Sequence, residues 1–143
     1  MREAFEISEV DFNERIADIR SVRFTVFVDE QKVPAEIEMD EWDDRSRHVL
    51  AVAGGMAIGT GRLLPDGHIG RVAVLREWRG KKVGVALMET LIEMGKLGGM
   101  PELVLSAQTQ AVGFYENLGF VAHGETYEEA GIEHIEMRLK VVF

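Results

Sequence analysis

The chain has 143 residues, 46% of them hydrophobic and 29% charged, which fits one domain with a substantial core. It has no cysteine, so disulfides, thiolate nucleophiles and cysteine–zinc sites are excluded. The net charge of −9 argues against a general nucleic-acid binder, because neutralising phosphates requires a basic face.

In chain order, Phe5 to Val10 reads as a short strand. Ser8-Glu9-Val10-Asp11 resembles a capping box opening a helix whose inner face carries Phe12, Ile16, Ile19 and Val22 or Phe24. A second apolar stretch, Phe24 to Val28, ends near Pro34. Glu36 to Asp44 is strongly acidic and reads as a loop or short helix. His48 to Ala53, Met56 to Leu64 and His68 to Val74 read as an antiparallel meander, turning at Gly54-Gly55 and Pro65-Asp66-Gly67. A helix follows Gly84, with Val83, Leu87, Leu91 and Met94 at helical spacing, and is stopped by Gly95, Gly98, Gly99 and Pro101. Leu103 to Ala107 is a continuously apolar strand of the buried kind, and Ala111 to Leu118 a short helix closed by Gly119. Phe120 to Tyr127 and Ile132 to Val142 are the last strands. The order β-α-α-β-β-β-α-β-α-β-β, without linker or repeat, predicts one α/β domain over residues 1–143, with a mixed, mostly antiparallel sheet flanked by helices. No run approaches the roughly 18 apolar residues of a membrane span, and Met1-Arg2-Glu3-Ala4-Phe5-Glu6 has no signal-peptide pattern, so a cytoplasmic location is expected.

The turn Arg79-Gly80-Lys81-Lys82-Val83-Gly84 has the composition of an anion cradle. Unpaired N–H groups and the dipole at a helix start favour negative charge, glycines let backbone approach a phosphate, and Arg79, Lys81 and Lys82 add charge. Taken alone, the same residues fit a solvated basic turn. There is no G-x-x-x-x-G-K-[ST] phosphate loop, and Gly59-Thr60-Gly61 begins a dinucleotide fingerprint but lacks its third glycine. The acidic stretch lacks the calcium-loop register, and His123, His134 and Glu136 do not form His-Glu-x-x-His, so no metal is expected.

Arg71-Val72-Ala73-Val74, followed by Trp78 to Leu87, resembles the acetyl-CoA motif of the GNAT family of N-acetyltransferases. That pattern is Arg or Gln, two variable residues, Gly, one residue, then Gly or Ala. Arg79 and Gly84 match its ends, while Lys82 stands at the usual middle glycine, a replacement expected to be tolerated if its φ is negative. Ala111-Val112-Gly113-Phe114-Tyr115-Glu116-Asn117-Leu118-Gly119-Phe120 resembles the C-terminal signature of the same family. Val26 to Gln31 and the acidic loop ending at His48 look like the YjcF/ElaA-like bacterial branch.

The resemblance implies that acetyl-CoA is the acyl donor and that pantetheine lies between two splayed strands, pairing with the main chain of Val72 and Val74. It also implies a pyrophosphate held by Arg79, Gly80, Lys81, Lys82, Val83, Gly84 and Val85, a pantetheine contact from Gln108, and an oxyanion donor at the Val74 N–H. Tyr115 then becomes the general acid for the departing thiolate; on spacing alone it reads as a core aromatic beside Phe114. Candidate bases for the unknown amine acceptor are Glu36, Glu38, Asp40, Asp43 and His48, while Arg62 and Arg71 either bind the acceptor or pair with the acidic loop. An acyl-CoA-binding module without catalysis is the alternative function, and edge-strand pairing would make a homodimer.

Overall fold

The computed structural model describes residues 4–141, so the expected end of the last strand at Val142 and the first three residues of the N-terminus lie outside the described residues. The order of elements follows the sequence: β1 (Glu6–Val10), α1 (Ile16–Arg23), α2 (Ala35–Glu38), β2 (Arg47–Ala53), β3 (Met56–Leu63), β4 (His68–Val74), α3 (Val83–Leu97), β5 (Glu102–Gln108), α4 (Val112–Glu116), β6 (Val121–Glu129) and β7 (Ile132–Lys140). The seven strands form one sheet in the order β1-β2-β3-β4-β5-β7-β6, antiparallel except where β4 meets β5.

Helical spacing makes α3 the principal partner of the sheet. Its Val83, Leu87, Leu91 and Met94 are buried and pack over β3, β4 and β2. Gly59 and Gly61 of β3 permit that approach: a Cβ on Gly61 would stand 2.9 Å from Leu91 Cδ1, and one on Gly59 3.0 Å from Leu87 Cδ1. Their role is helix–sheet packing. Among the described residues no helix is long and apolar enough to cross a membrane.

Four local expectations are corrected. Ser8 does not cap a helix, because it pairs with Leu50 in the β1–β2 ladder. Asp11 Oδ1 instead accepts the Glu14 N–H at 3.1 Å in the turn before α1, whose own start has no side-chain cap. Gly95 does not stop α3, which runs on to Leu97. The Phe24 to Val28 stretch continues α1 as a π-helix, Phe24–Glu30. Strand β5 alternates rather than being continuously buried, with Leu103, Leu105 and Ala107 inside and Ser106 exposed.

Strands β4 and β5 set the shape of the cleft. They pair in parallel only at His68–Val104 and Ile69–Leu105 and diverge beyond these residues. The closed end is fixed by Gly67, whose carbonyl accepts the Val104 N–H at 3.0 Å. Its φ of +95° and the 2.6 Å that would separate a Cβ from the Glu102 carbonyl oxygen together require glycine. Farther along β4 a bulge places Arg71 and Val72 opposite Gly61, with Arg71 at φ +51°. The outer edge strand β6 is bulged around Gly124 and lined with glutamates, features that discourage edge pairing.

Candidate active site

Two cavities meet the diverging strands. One, of about 380 Å³, is lined by Val74, Trp78 to Gly80, Lys82 to Val85 and Phe114. The other, of about 420 Å³, is bounded by Arg71 and Val72 of β4, by Ser106 and Gln108 of β5, and by Tyr115. Phe114 and Tyr115 are consecutive on α4, so each cavity receives one ring from the same turn.

The smaller cavity contains the predicted cradle. Ala86 is the first residue of α3 to donate to a helical carbonyl, that of Lys82, which leaves the N–H groups of Val83, Gly84 and Val85 at an exposed helix start. No acidic residue occupies the first turn to compete for them. Gly80 and Lys82 are both left-handed, at φ +77° and +68°. The condition placed on Lys82 is therefore not met: its backbone adopts the conformation for which the family uses glycine, and only the exposed side chain accommodates the change. Lys82→Gly is expected to raise the unfolding free energy by about 1 kcal/mol by removing that strain, measured by urea denaturation. A loss of stability would show that the lysine side chain contributes more than its backbone costs.

Arg79 is already engaged. Its guanidinium makes two bonds to Glu30, at 2.9 and 3.0 Å, and its Nε donates to the Val74 carbonyl at 3.0 Å. The hydrogen bond and charge of Arg79 hold the Glu30 carboxyl below its ordinary range. Lys81 lies over the Trp78 ring at 5.2 Å.

Val74 faces the cleft for a reason of register. Leu75 donates to the Ile58 carbonyl across the β3–β4 ladder, and alternation turns the N–H and C=O of its neighbour Val74 away from β3. Gln108 closes the opposite side, its Nε2 donating to Gln31 Oε1 at 2.8 Å while its Oε1 accepts from Gln110 at 2.5 Å. Tyr115 packs edge-on against Phe114 and Phe120, with ring centroids 5.1 and 6.2 Å apart. Burial pushes its phenol up, which keeps the hydroxyl protonated.

The acidic loop is mostly structural. Buried Arg23 donates to Glu38 Oε1 at 2.8 Å and to Asp43 Oδ1 at 2.7 Å; Arg62 reaches Asp40 at 2.7 Å and Asp43 at 2.9 Å. Arg71 contacts Asp40 at 3.2 Å and the Glu38 carbonyl at 3.1 Å, so both arginines pair with the loop. Burial would raise Asp43 and Asp40, but hydrogen bonds and charge from Arg23 and Arg62 respectively outweigh it and hold both carboxyls below their ordinary range. Glu38 Oε2 has no partner and is fully enclosed, and Glu36 is exposed outside the lining of the larger cavity. His48 is buried, stacked on Phe12 at 4.7 Å and bonded through Nε2 to the Asp43 carbonyl at 2.9 Å. It has no place in the cleft. Among the described residues no group of three or more His, Asp or Glu could hold a metal.

Sequence reasoning did not find Glu30 and Gln31, which clasp Arg79 and Gln108, or the polar face of β5, β6 and β7. Ser106, one polar residue inside an apolar strand, was the available signal for that face.

Comparison with known proteins matches residues 12–141 to the model of the acetyltransferase (GNAT) domain. The Bacillus subtilis protein YjcF, named an uncharacterized N-acetyltransferase, is 39% identical over 128 residues, covering 87% of this chain and 91% of its own. A crystal structure of an acyl-CoA N-acyltransferase from Pseudomonas aeruginosa superposes with a TM-score of 0.85 at 30% identity, covering 95% of this chain and 99% of that one. Escherichia coli ElaA superposes with the same TM-score, 0.85, at 31% identity over 94% of this chain and 99% of its own.

Proposed function

Because this chain belongs to the GNAT acetyltransferase family and has its acyl-CoA N-acyltransferase fold, we propose that it moves an acetyl group from acetyl-CoA to a primary amine by direct attack. The observation that carries this reading is the pair of cavities beside the β4–β5 divergence, one lined by the glycine- and lysine-bearing start of α3 and the other by Tyr115.

In this reading the N–H groups of Val83, Gly84 and Val85, with Gly80 and the charges of Arg79, Lys81 and Lys82, hold the pyrophosphate. The main chain of Val72 and Val74 pairs with the pantetheine amides in place of the missing β5 contacts, and Gln108 reaches the same arm. The Val74 N–H stabilises the thioester oxyanion, an effect of about 3–4 kcal/mol for such donors. Tyr115 gives its proton to the CoA thiolate. The acceptor approaches from the larger cavity.

Calorimetry with CoA, acetyl-CoA, ATP and NAD tests the ligand class, and only the CoA compounds should bind. A panel of amines assayed by release of free thiol tests the reaction. Gly84→Glu should weaken CoA binding by at least about tenfold, because its carboxylate enters the cradle beside Phe114, whose ring lies 3.5 Å from the position of a Cβ. Unchanged affinity would place the pyrophosphate elsewhere.

A further inference from the structure

The wall of the larger cavity formed by β5, β6 and β7 carries a polar constellation with no part in the mechanism so far. His134 of β7 is largely buried, lines the cavity, and stands in register with Gln108 of β5 and Tyr127 of β6. Its Nδ1 lies 2.7 Å from the Ile132 carbonyl oxygen. A carbonyl can only accept, so Nδ1 carries the hydrogen and the neutral ring keeps its lone pair on Nε2. The ring is held by stacking on Tyr127, with centroids 6.2 Å apart and planes 20° from parallel. Nε2 lies 3.8 Å from Glu129 Oε2. That carboxylate accepts from Ser106 Oγ at 3.2 Å, and the Ser106 hydroxyl is in turn bonded to the Tyr127 hydroxyl. A carboxylate accepts only, so the chain is directed: Tyr127 donates to Ser106, and Ser106 to Glu129.

This is the arrangement of a histidine base: tautomer fixed from behind, ring clamped, and a carboxylate beside the nitrogen that would gain charge. The carboxylates first considered for the role are tied to arginines, fully enclosed or outside the cavity. We propose that His134 Nε2 takes the proton from the attacking amine nitrogen, with Glu129 as counter-ion, an assignment that rests on the acetyl-transfer reading above. The nitrogen lone pair forms the C–N bond as the carbonyl electrons move to oxygen at the Val74 N–H. The nitrogen's proton passes to His134. As the carbonyl reforms, the C–S bond breaks and sulfur takes the Tyr115 proton. The products are an amide and CoA thiol, and His134 and Tyr115 exchange their protons with solvent before the next turnover.

The charged surroundings of His134 are mixed. Strand β6 presents Tyr127 and Glu129, β5 the neutral Ser106 and Gln108, and β7 itself adds Glu136 two residues along. The turn Thr109–Ala111 carries no titratable group, and on the opposite wall Glu38 and Arg71 are joined to each other at 3.5 Å. Glu129 is therefore the carboxylate that stands beside His134 Nε2.

The test is kcat/KM against pH for the full chain, with acetyl-CoA and the best amine of the panel. His134→Gln should lower it by about 10²–10⁴-fold near neutrality, abolish the acidic limb, and leave CoA affinity unchanged by calorimetry. Added imidazole should restore part of the rate. Glu129→Gln, at a well-exposed side chain (59%) that tolerates substitution, removes the counter-ion and should lower kcat by about two- to fivefold with CoA affinity unchanged. Wild-type rates in His134→Gln would overturn the assignment, as would a loss with the acidic limb intact and no imidazole rescue. If His134→Gln does not fold, an unchanged kcat in Glu129→Gln overturns it instead. Failure of the wild type to acetylate any amine would count against the reaction assigned above, a distinguishable result.

Discussion

Tyr115→Phe is expected to slow acyl transfer by about 10²–10⁴-fold while leaving CoA affinity nearly unchanged. The substitution removes one hydroxyl and keeps the ring that packs against Phe114 and Phe120, so the fold should tolerate it. The wild-type pH profile supplies an independent check. Burial raises the Tyr115 phenol, so its acidic form persists as pH rises and is lost only above the ordinary phenol value of about 10. A wild-type rate that fell between pH 8 and about 9.5 on account of this residue would contradict that direction. Full activity of Tyr115→Phe at every pH would remove Tyr115 from the chemistry and return it to the core.

The second large effect concerns stability. Arg23→Met should lower the unfolding free energy by about 3 kcal/mol, because it removes the guanidinium that both buried carboxylates share and leaves Glu38 with only Arg71 at 3.5 Å and Asp43 with only Arg62 at 2.9 Å. Arg23 and Glu38 are each 1% exposed and Asp43 2%, so water cannot replace the lost partner. A loss below about 1 kcal/mol in urea denaturation would mean that Glu38 or Asp43 becomes protonated or solvated without cost. The same network fixes the sign of the acid response. Asp40 and Asp43 have folded-state values below the unfolded value of about 3.9, so the stability they add is present above it and is lost as pH falls through the lower, folded values. Burial also depresses His48, which stays neutral in the fold, so protons favour the unfolded chain from about pH 6.5 downward. All three groups act in one direction, and urea midpoints should decline steadily under acid.

Most of the architecture was legible in local pattern. Strand alternation and the Gly54-Gly55 and Pro65-Asp66-Gly67 turns gave the meander, and the spacing of Val83, Leu87, Leu91 and Met94 gave α3 with its buried face. The cavity at the start of α3 was readable because its lining is local, most of it drawn from Trp78 to Val85. Less legible were features that depend on distant partners. Whether Glu38, Asp40 and Asp43 are bases or counter-ions is decided by Arg23, Arg62 and Arg71, which come from a helix and two strands. Lys82 departed from expectation because the chain's path into α3, not the side chain, dictates its φ. His134 was weighed in the sequence only as a metal ligand, because its partners Glu129 and Ser106 are set by hairpin and sheet register, which one-dimensional spacing does not show.

The bulge at Arg71 links regions that the sequence holds far apart. A left-handed residue in β4 sends its guanidinium into the loop of Glu38 and Asp40, three residues before Val74. The α2 wall of the larger cavity and the strand beneath it are thereby fastened together through half-buried charge. Local opening of one withdraws ligands from the other, so α2 and the distal half of β4 form a single cooperative unit. In the proposed reaction, an acceptor that orders the α2 wall would in the same event order the backbone proposed to meet the thioester, coupling recognition to readiness without any moving domain.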